Sequence, residues 1–156
     1  VNMASLTANK NFLSPVGFQF KIDSIKYPNL EYFCSVVILP NISLSEAALP
    51  YGSINNAEPG DRLNFGDLTI KFNVTENMDN YIETYDWIRS LVVDDQAHRA
   101  DATLMVLSSH NNVTKEIKFD QIFPVDLSEI TFSATESEVA YVECSVTFKY
   151  IQYRFV

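Results

Sequence analysis

Hydrophobic and polar positions alternate along most of the chain, and one change in that rhythm predicts the architecture. Leu68, Ile70, Phe72 and Val74 alternate with Thr69, Lys71 and Asn73, the period of two of a half-buried strand. From Met78 the period lengthens. Met78, Tyr81, Ile82, Tyr85, Ile88 and Val92 recur at spacings of three and four, which puts them on one helical face. Asn77 stands where an N-cap is expected, with Asp79 and Glu83 in the first turns and Arg89 near the end. That is the charge order the helix dipole favours. Residues 63–93 thus read as a strand running into the one convincing helix. Trp87 points almost opposite the Met78, Ile82 and Tyr85 face, with Leu91 partly beside it. Two readings follow: Trp87 faces a partner or neighbouring subunit, or a loop or the N-terminal arm of the same chain covers it.

Everything else reads as strands and loops. Phe18, Phe20 and Ile22 alternate with polar neighbours, a first strand. Tyr27-Pro28-Asn29 marks a turn. Residues 33–39 are a nearly continuous apolar run ended by Pro40, which predicts a strand covered on both faces. Residues 40–60 carry three prolines with Ile42, Leu44, Leu49, Tyr51 and Ile54 among them. A hairpin or extended loop is expected, and its apolar residues have no evident use within their own domain. Pro59-Gly60-Asp61 is expected to turn the chain into the central strand. Residues 103–108 and 113–119 form a hairpin around Ser109-His110-Asn111-Asn112. Ile122, Phe123 and Val125 form another short strand, kinked or edged by Pro124. Along the last strand Ala140, Val142, Cys144, Val146, Phe148 and Tyr150 keep one phase, and Ile151, Tyr153 and Phe155 take the other. That slip predicts a bulge, or a terminal segment that crosses from one surface to another. Residues 1–14 are expected to be a flexible arm and 15–156 a single domain of antiparallel strands, a β-sandwich or barrel with one flanking α-helix.

Charge and chemistry narrow the functions. The 156 residues hold 11 Lys and Arg against 20 Asp and Glu, a formal charge of -9. A basic grip on nucleic acid is therefore not expected. Cys34 and Cys144 lie in apolar strand patterns, as buried reduced thiols do. Asp94, Asp95, His98 and Asp101 match no calcium loop, and neither cysteine has a His or Cys at zinc spacing. No glycine-rich phosphate loop or nucleophile elbow is present, so no catalytic residue, metal or cofactor is assigned. No leader pattern or transmembrane-length stretch is read, so production in a cytoplasm and no membrane association are expected.

Four stretches, taken in order, carry a resemblance. They are Pro59-Gly60-Asp61-Arg62-Leu63 leading through Phe65-Gly66-Asp67-Leu68-Thr69, then Tyr85-Asp86-Trp87-Ile88-Arg89-Ser90, then Ile122-Phe123-Pro124, and Leu127-Ser128-Glu129-Ile130 before the Tyr-rich terminal strand. Together with the strand ending in Leu39-Pro40, the set resembles the tail tube family of contractile-tailed bacteriophages. It spans residues 18–155. The stretch 63–91 resembles the related tail completion (terminator) proteins equally well. The resemblance implies a virion structural protein, assembled in the host cytoplasm into homo-hexameric rings. Those rings would stack into a tube through which DNA passes without specific binding, with sheath, baseplate or neck components as partners. Ile42, Leu44, Leu49, Tyr51, Ile54, Trp87, Ile151, Tyr153 and Phe155 become candidates for ring-stacking and subunit contacts. Glu46, Glu58 and Asp61 become acidic candidates for the lumen, where repulsion would keep DNA from sticking. The repeated tube subunit is the first expectation and a tube-end ring the second. A type VI secretion tube and a β-sandwich binding module are the remaining alternatives.

Overall fold

The computed structural model describes residues 12–23, 34–93, 99–135 and 141–156, and the backbone but not the side chain of Tyr51. The described elements are β1 (Phe18–Asp23), β2 (Cys34–Ile38), β3 (Ile42–Tyr51), β4 (Ile54–Phe65) and β5 (Leu68–Asn73). They continue with α1 (Asp79–Val93), β6 (Ala100–Leu107), β7 (Val113–Leu127), β8 (Glu143–Lys149) and β9 (Gln152–Phe155). Strands β1, β6, β7, β8, β5 and β2 pair in that order, all antiparallel, and β9 adds to β7. Strands β3 and β4 form a separate two-stranded sheet.

Alternation explains the body. Phe20 and Ile22 of β1, Ala102 and Leu104 of β6, and Ile117 and Phe119 of β7 are buried on one half-sheet. Leu68, Ile70 and Phe72 of β5 and Cys144, Val146 and Phe148 of β8 are buried on the other. The two apolar faces and Trp87 meet in a single core, so the sheet folds over into a sandwich.

The fold of the sheet lies within β7. Its buried positions run Ile117, Phe119, then Ile122 and Pro124, a slip of one residue. Opposite it, Ala102 pairs with Phe119 and Ala100 with Ile122. The extra residue is Gln121, at a φ of 54°, whose N–H donates to Asp101 Oδ1 at 3.0 Å. This bulge turns one strand from the first half-sheet into the second. The separate short strand expected around Phe123 is the second half of β7. The slip expected at the C-terminus is present and is a crossing of surfaces. Strand β8 pairs with β5, and after Tyr150 and Ile151 strand β9 pairs with the first half of β7.

Four expectations are corrected. First, the buried face of α1 is Asn80, Thr84 and Trp87, with Leu91 partly buried, while Ile82 and Tyr85 are each 48% exposed and Val92 85%. The helix is rotated from the phase its apolar stripe predicts. Trp87 is fully buried with its ring 5.7 Å from that of Phe148. The polar residues beside it escape a desolvation penalty because they are bonded. Asn80 Nδ2 donates to the Asn73 carbonyl at 2.7 Å, and Thr84 Oγ1 donates to the Asn80 carbonyl at 3.0 Å.

Second, Asn77 is not the cap. The first helical bond runs from Ile82 N to the Met78 carbonyl, and Thr75 Oγ1 accepts from Asp79 N at 3.0 Å. Third, β2 is not covered on both faces. It is the edge strand beyond β5, and Val36, Ile38 and nearby Leu39 are 40–50% exposed. Fourth, Pro59-Gly60-Asp61 is no turn but lies inside β4.

The Tyr27-Pro28-Asn29 turn, residues 1–11 of the expected arm, and Asp94, Asp95 and His98 lie outside the described residues. Among the described residues, no group of three His, Cys, Asp or Glu could hold a metal, and no helix is long and apolar enough to cross a membrane. Cys34 and Cys144 pair with Phe72 from opposite sides. They are two strands apart, about 10 Å, beyond the ~7 Å Cα separation a disulfide tolerates.

Candidate assembly surface: the β3–β4 hairpin

The hairpin is built by register. Ile42 opposes Phe65, Leu44 opposes Leu63, Leu49 opposes Asn56 and Tyr51 opposes Ile54. Gly52, at a φ of 63°, and Ser53 make the two-residue connection. A glycine there takes the left-handed conformation without a Cβ clash. At about 3.3 Å per residue, the arm reaches roughly 30 Å.

Midway the register slips, because Leu44 faces Leu63 but Glu46 faces Pro59. The surplus residues of β4 bulge around Ser45, whose Oγ accepts from Arg62 N at 3.2 Å. Gly60 lies so close that a Cβ there would overlap the Ser45 carbonyl. Pro59 and Gly60 therefore serve the bulge, not a turn.

No described body element packs along the arm; β3 and β4 make their extensive contacts with each other. Ile42, Leu44, Leu49, Ile54 and Leu63 are 50–72% exposed. Five large aliphatic side chains on one free-standing ribbon form an apolar surface with no covering element in the described chain. Glu46, Glu58 and Asp61 are also exposed on this ribbon. Glu46 pairs with Pro59 and Glu58 with Ala47, adjacent rungs, so these two carboxylates stand on opposite faces of the hairpin.

The remaining predicted contact residues divide. Ile151 and Phe155 are exposed, at 55% and 64%. Tyr153 is half-buried in an aromatic cluster at the hairpin root, 5.2 Å from Phe65 and 5.6 Å from Phe119. Trp87 is a core residue with no surface to offer. Exposed apolar groups that sequence reasoning missed are Ile82, Tyr85 and Val92 on the outer face of α1, and Phe132 and Tyr141 near the far end of β5. At that end a cleft of about 200 Å³ is lined by Val74, Met78, Ile130, Phe132 and Val142 among others. The helical stripe was visible as a pattern; its outward orientation was not. Both thiols are protonated well above neutral pH. Burial pushes Cys34 up to about 12, and burial likewise raises Cys144 despite the Ser128 hydroxyl beside it.

Over residues 16–152 the sequence matches the family model described as T4-like virus tail tube protein gp19. The chain belongs to that tail tube family. Among its relatives, the tail tube terminator protein of Enterobacteria phage T4 is 26% identical over 113 residues, covering 67% of this chain and 64% of that protein. The chain thus matches just under two thirds of that relative's length. Among solved structures, the anti-feeding prophage tube-terminating cap superposes with a TM-score of 0.74 at 15% identity, covering 97% of this chain and 98% of the other. A chain of the sheath–tube complex of an extracellular contractile injection system superposes at 0.67 and 19% identity, covering 94% of each. At those identities the superpositions show the tail-tube fold alone.

Proposed function

We propose that this chain is a non-catalytic structural subunit of a contractile phage tail, forming a ring at the end of the tail tube. The observation that carries the reading is the hairpin. Its 10 and 12 strand residues match the ~20–30 residues that one side of a standard protein interface engages, and its aliphatic side chains are uncovered. The hairpin leaves the body at the start of β5, and the apolar cleft lies beyond the end of that strand. Two unlike apolar surfaces at opposite ends of one strand suit a heterologous contact, which builds rings or stacks instead of closed pairs. The open β2 edge is a further surface that a neighbouring copy would cover.

Six copies per ring, a lumen that passes DNA, and contacts with sheath or baseplate components belong to this reading. The acidic balance supports it, since like charge keeps DNA mobile along a wall. The similarity to a tube terminator favours the tube end over the body of the tube, reversing the order expected from sequence. The second reading, a repeated tube subunit, is favoured by the family model. Negative-stain microscopy of the purified protein across a concentration series separates the two. Discrete rings that do not stack support the tube-end reading, long tubes support the repeated subunit, and monomers at every concentration, even with tail tubes added, overturn both.

A further inference from the structure

We propose that Tyr150 and Tyr153 are positioning residues, a phenolic clamp that fixes the direction in which the hairpin leaves the body. The hairpin departs after Pro40 and Asn41 and returns at Phe65 and Gly66. Each of these two exits is held by one tyrosine. Tyr150 Oη donates to the Gly66 carbonyl at 2.8 Å, and Tyr153 Oη donates to the Pro40 carbonyl at 3.2 Å. Between the exits, Gly66 N donates to the Asn41 carbonyl at 2.9 Å.

The phenol rings are themselves anchored. The ring of Phe119, a fully buried core residue, lies 5.2 Å from that of Tyr150 at 87° and 5.6 Å from that of Tyr153. These are edge-on and tilted arrangements of the kind aromatic quadrupoles favour. Phe65, the last residue of β4, closes the cluster at 6.2 Å from Tyr150 and 5.2 Å from Tyr153. A continuous path therefore runs from the core through two phenols to the two ends of the arm. Burial pushes Tyr150 up to about 12, so its hydroxyl remains a donor throughout the physiological range.

The clamp matters because little else can set the angle. No described element packs along the arm, and the Lys149–Asp67 ion pair near the root, at 3.1 Å, is half exposed, a type worth little. On an arm of roughly 30 Å, a swing of about 10° at the root displaces the tip by about 5 Å. That is enough to take the apolar side chains off a matching surface. Fixing the direction in advance removes an ordering cost from association.

The consequence for assembly rests on the ring reading; the clamp itself is a property of the single chain, and the experiment reads it there. Spin labels are placed at Ser53→Cys on the hairpin tip and Ser109→Cys on the body, in a Cys34→Ser background. The distance distribution is recorded on dilute protein. The parent should give one narrow distribution. Tyr150→Phe/Tyr153→Phe keeps both rings and removes both hydroxyls; it should broaden the distribution by about 5 Å, the tip displacement of a 10° swing. Tyr150→Phe alone should contribute more than Tyr153→Phe, since its bond is shorter. Asp67→Ala should leave the width unchanged. Superimposable distributions for the parent and the double variant overturn the clamp, as does equal broadening by Asp67→Ala. A narrow parent distribution in protein that never forms rings would sink the ring reading and leave the clamp standing. If the double variant does not fold, the two single variants, each keeping one hydroxyl, decide the matter by the same widths.

Discussion

The sandwich body and the β3–β4 hairpin are made of the same antiparallel ladder, yet they solve opposite problems. In the body, alternate side chains from two half-sheets and Trp87 enclose one core, and no buried side-chain nitrogen or oxygen among the described residues lacks a partner. In the hairpin the ladder runs from root to tip, interrupted by the bulge at Ser45, but both faces are bare and the aliphatic residues stay half exposed or more. Ladder hydrogen bonds alone do not stabilise an isolated two-stranded ribbon in water. The body therefore holds the hairpin at its root, and the hairpin holds its apolar area in reserve. On the proposed reading stability and assembly fall to different residues, and substitutions should separate them.

The largest effect is expected at the centre of the body. Trp87→Ala should lower unfolding free energy by about 3–5 kcal/mol, read as a shift of the urea midpoint. A loss no larger than that of a surface substitution would mean that α1 is not seated on Phe148 as described. Asn80→Ala comes next. It strips a buried amide from the Asn73 carbonyl and should cost about 1–3 kcal/mol in the same measurement, although it adds no charge and removes little volume. Leu49→Asp/Ile54→Asp should change the body's stability by no more than about 0.5 kcal/mol, while abolishing ring formation by microscopy. Destabilisation there as large as at Trp87 would erase the distinction between the two regions.

The last effect is alkaline. The Tyr150 phenol ionises near 10 when unfolded and near 12 when folded. The unfolded chain thus releases its proton first, and stability falls as pH rises from 10 and levels off above 12. Tyr150→Phe should lack this slope, so its stability difference from the parent should shrink across that window.

Much of the body was legible because alternation is a local signal. Strands β1, β5 and β8 and the β6–β7 hairpin lie where period two places them. The failures share one cause: burial is decided by what stands opposite, and a single strand or helix does not report that. Residues 33–39 are nearly all apolar, but nothing in the described chain covers the outer side chains Val36, Ile38 and Leu39, which stay 40–50% exposed. The stripe of Ile82, Tyr85 and Val92 has the right period and the wrong direction. By polarity alone Asn80 and Thr84 belong outside, whereas their bonds to the Asn73 and Asn80 carbonyls let them sit inside. The signal that could have corrected it was Trp87 with Leu91, the largest apolar side chain paired at helical spacing. Of the candidate assembly surface, the surplus apolar residues of the hairpin were readable. The clamp was not, since it joins Tyr150 to a carbonyl 84 positions earlier in the chain.

Strand β7 has a mechanical consequence. Its 15 residues pair with β6 and β9 up to Ile122 and with β8 from Phe123 onward, so a single rib belongs to both halves of the sandwich. Neither half can peel away without rupturing that rib. The body should melt as one cooperative unit in a single calorimetric transition, while the amides of the hairpin exchange with solvent through local fraying long before it.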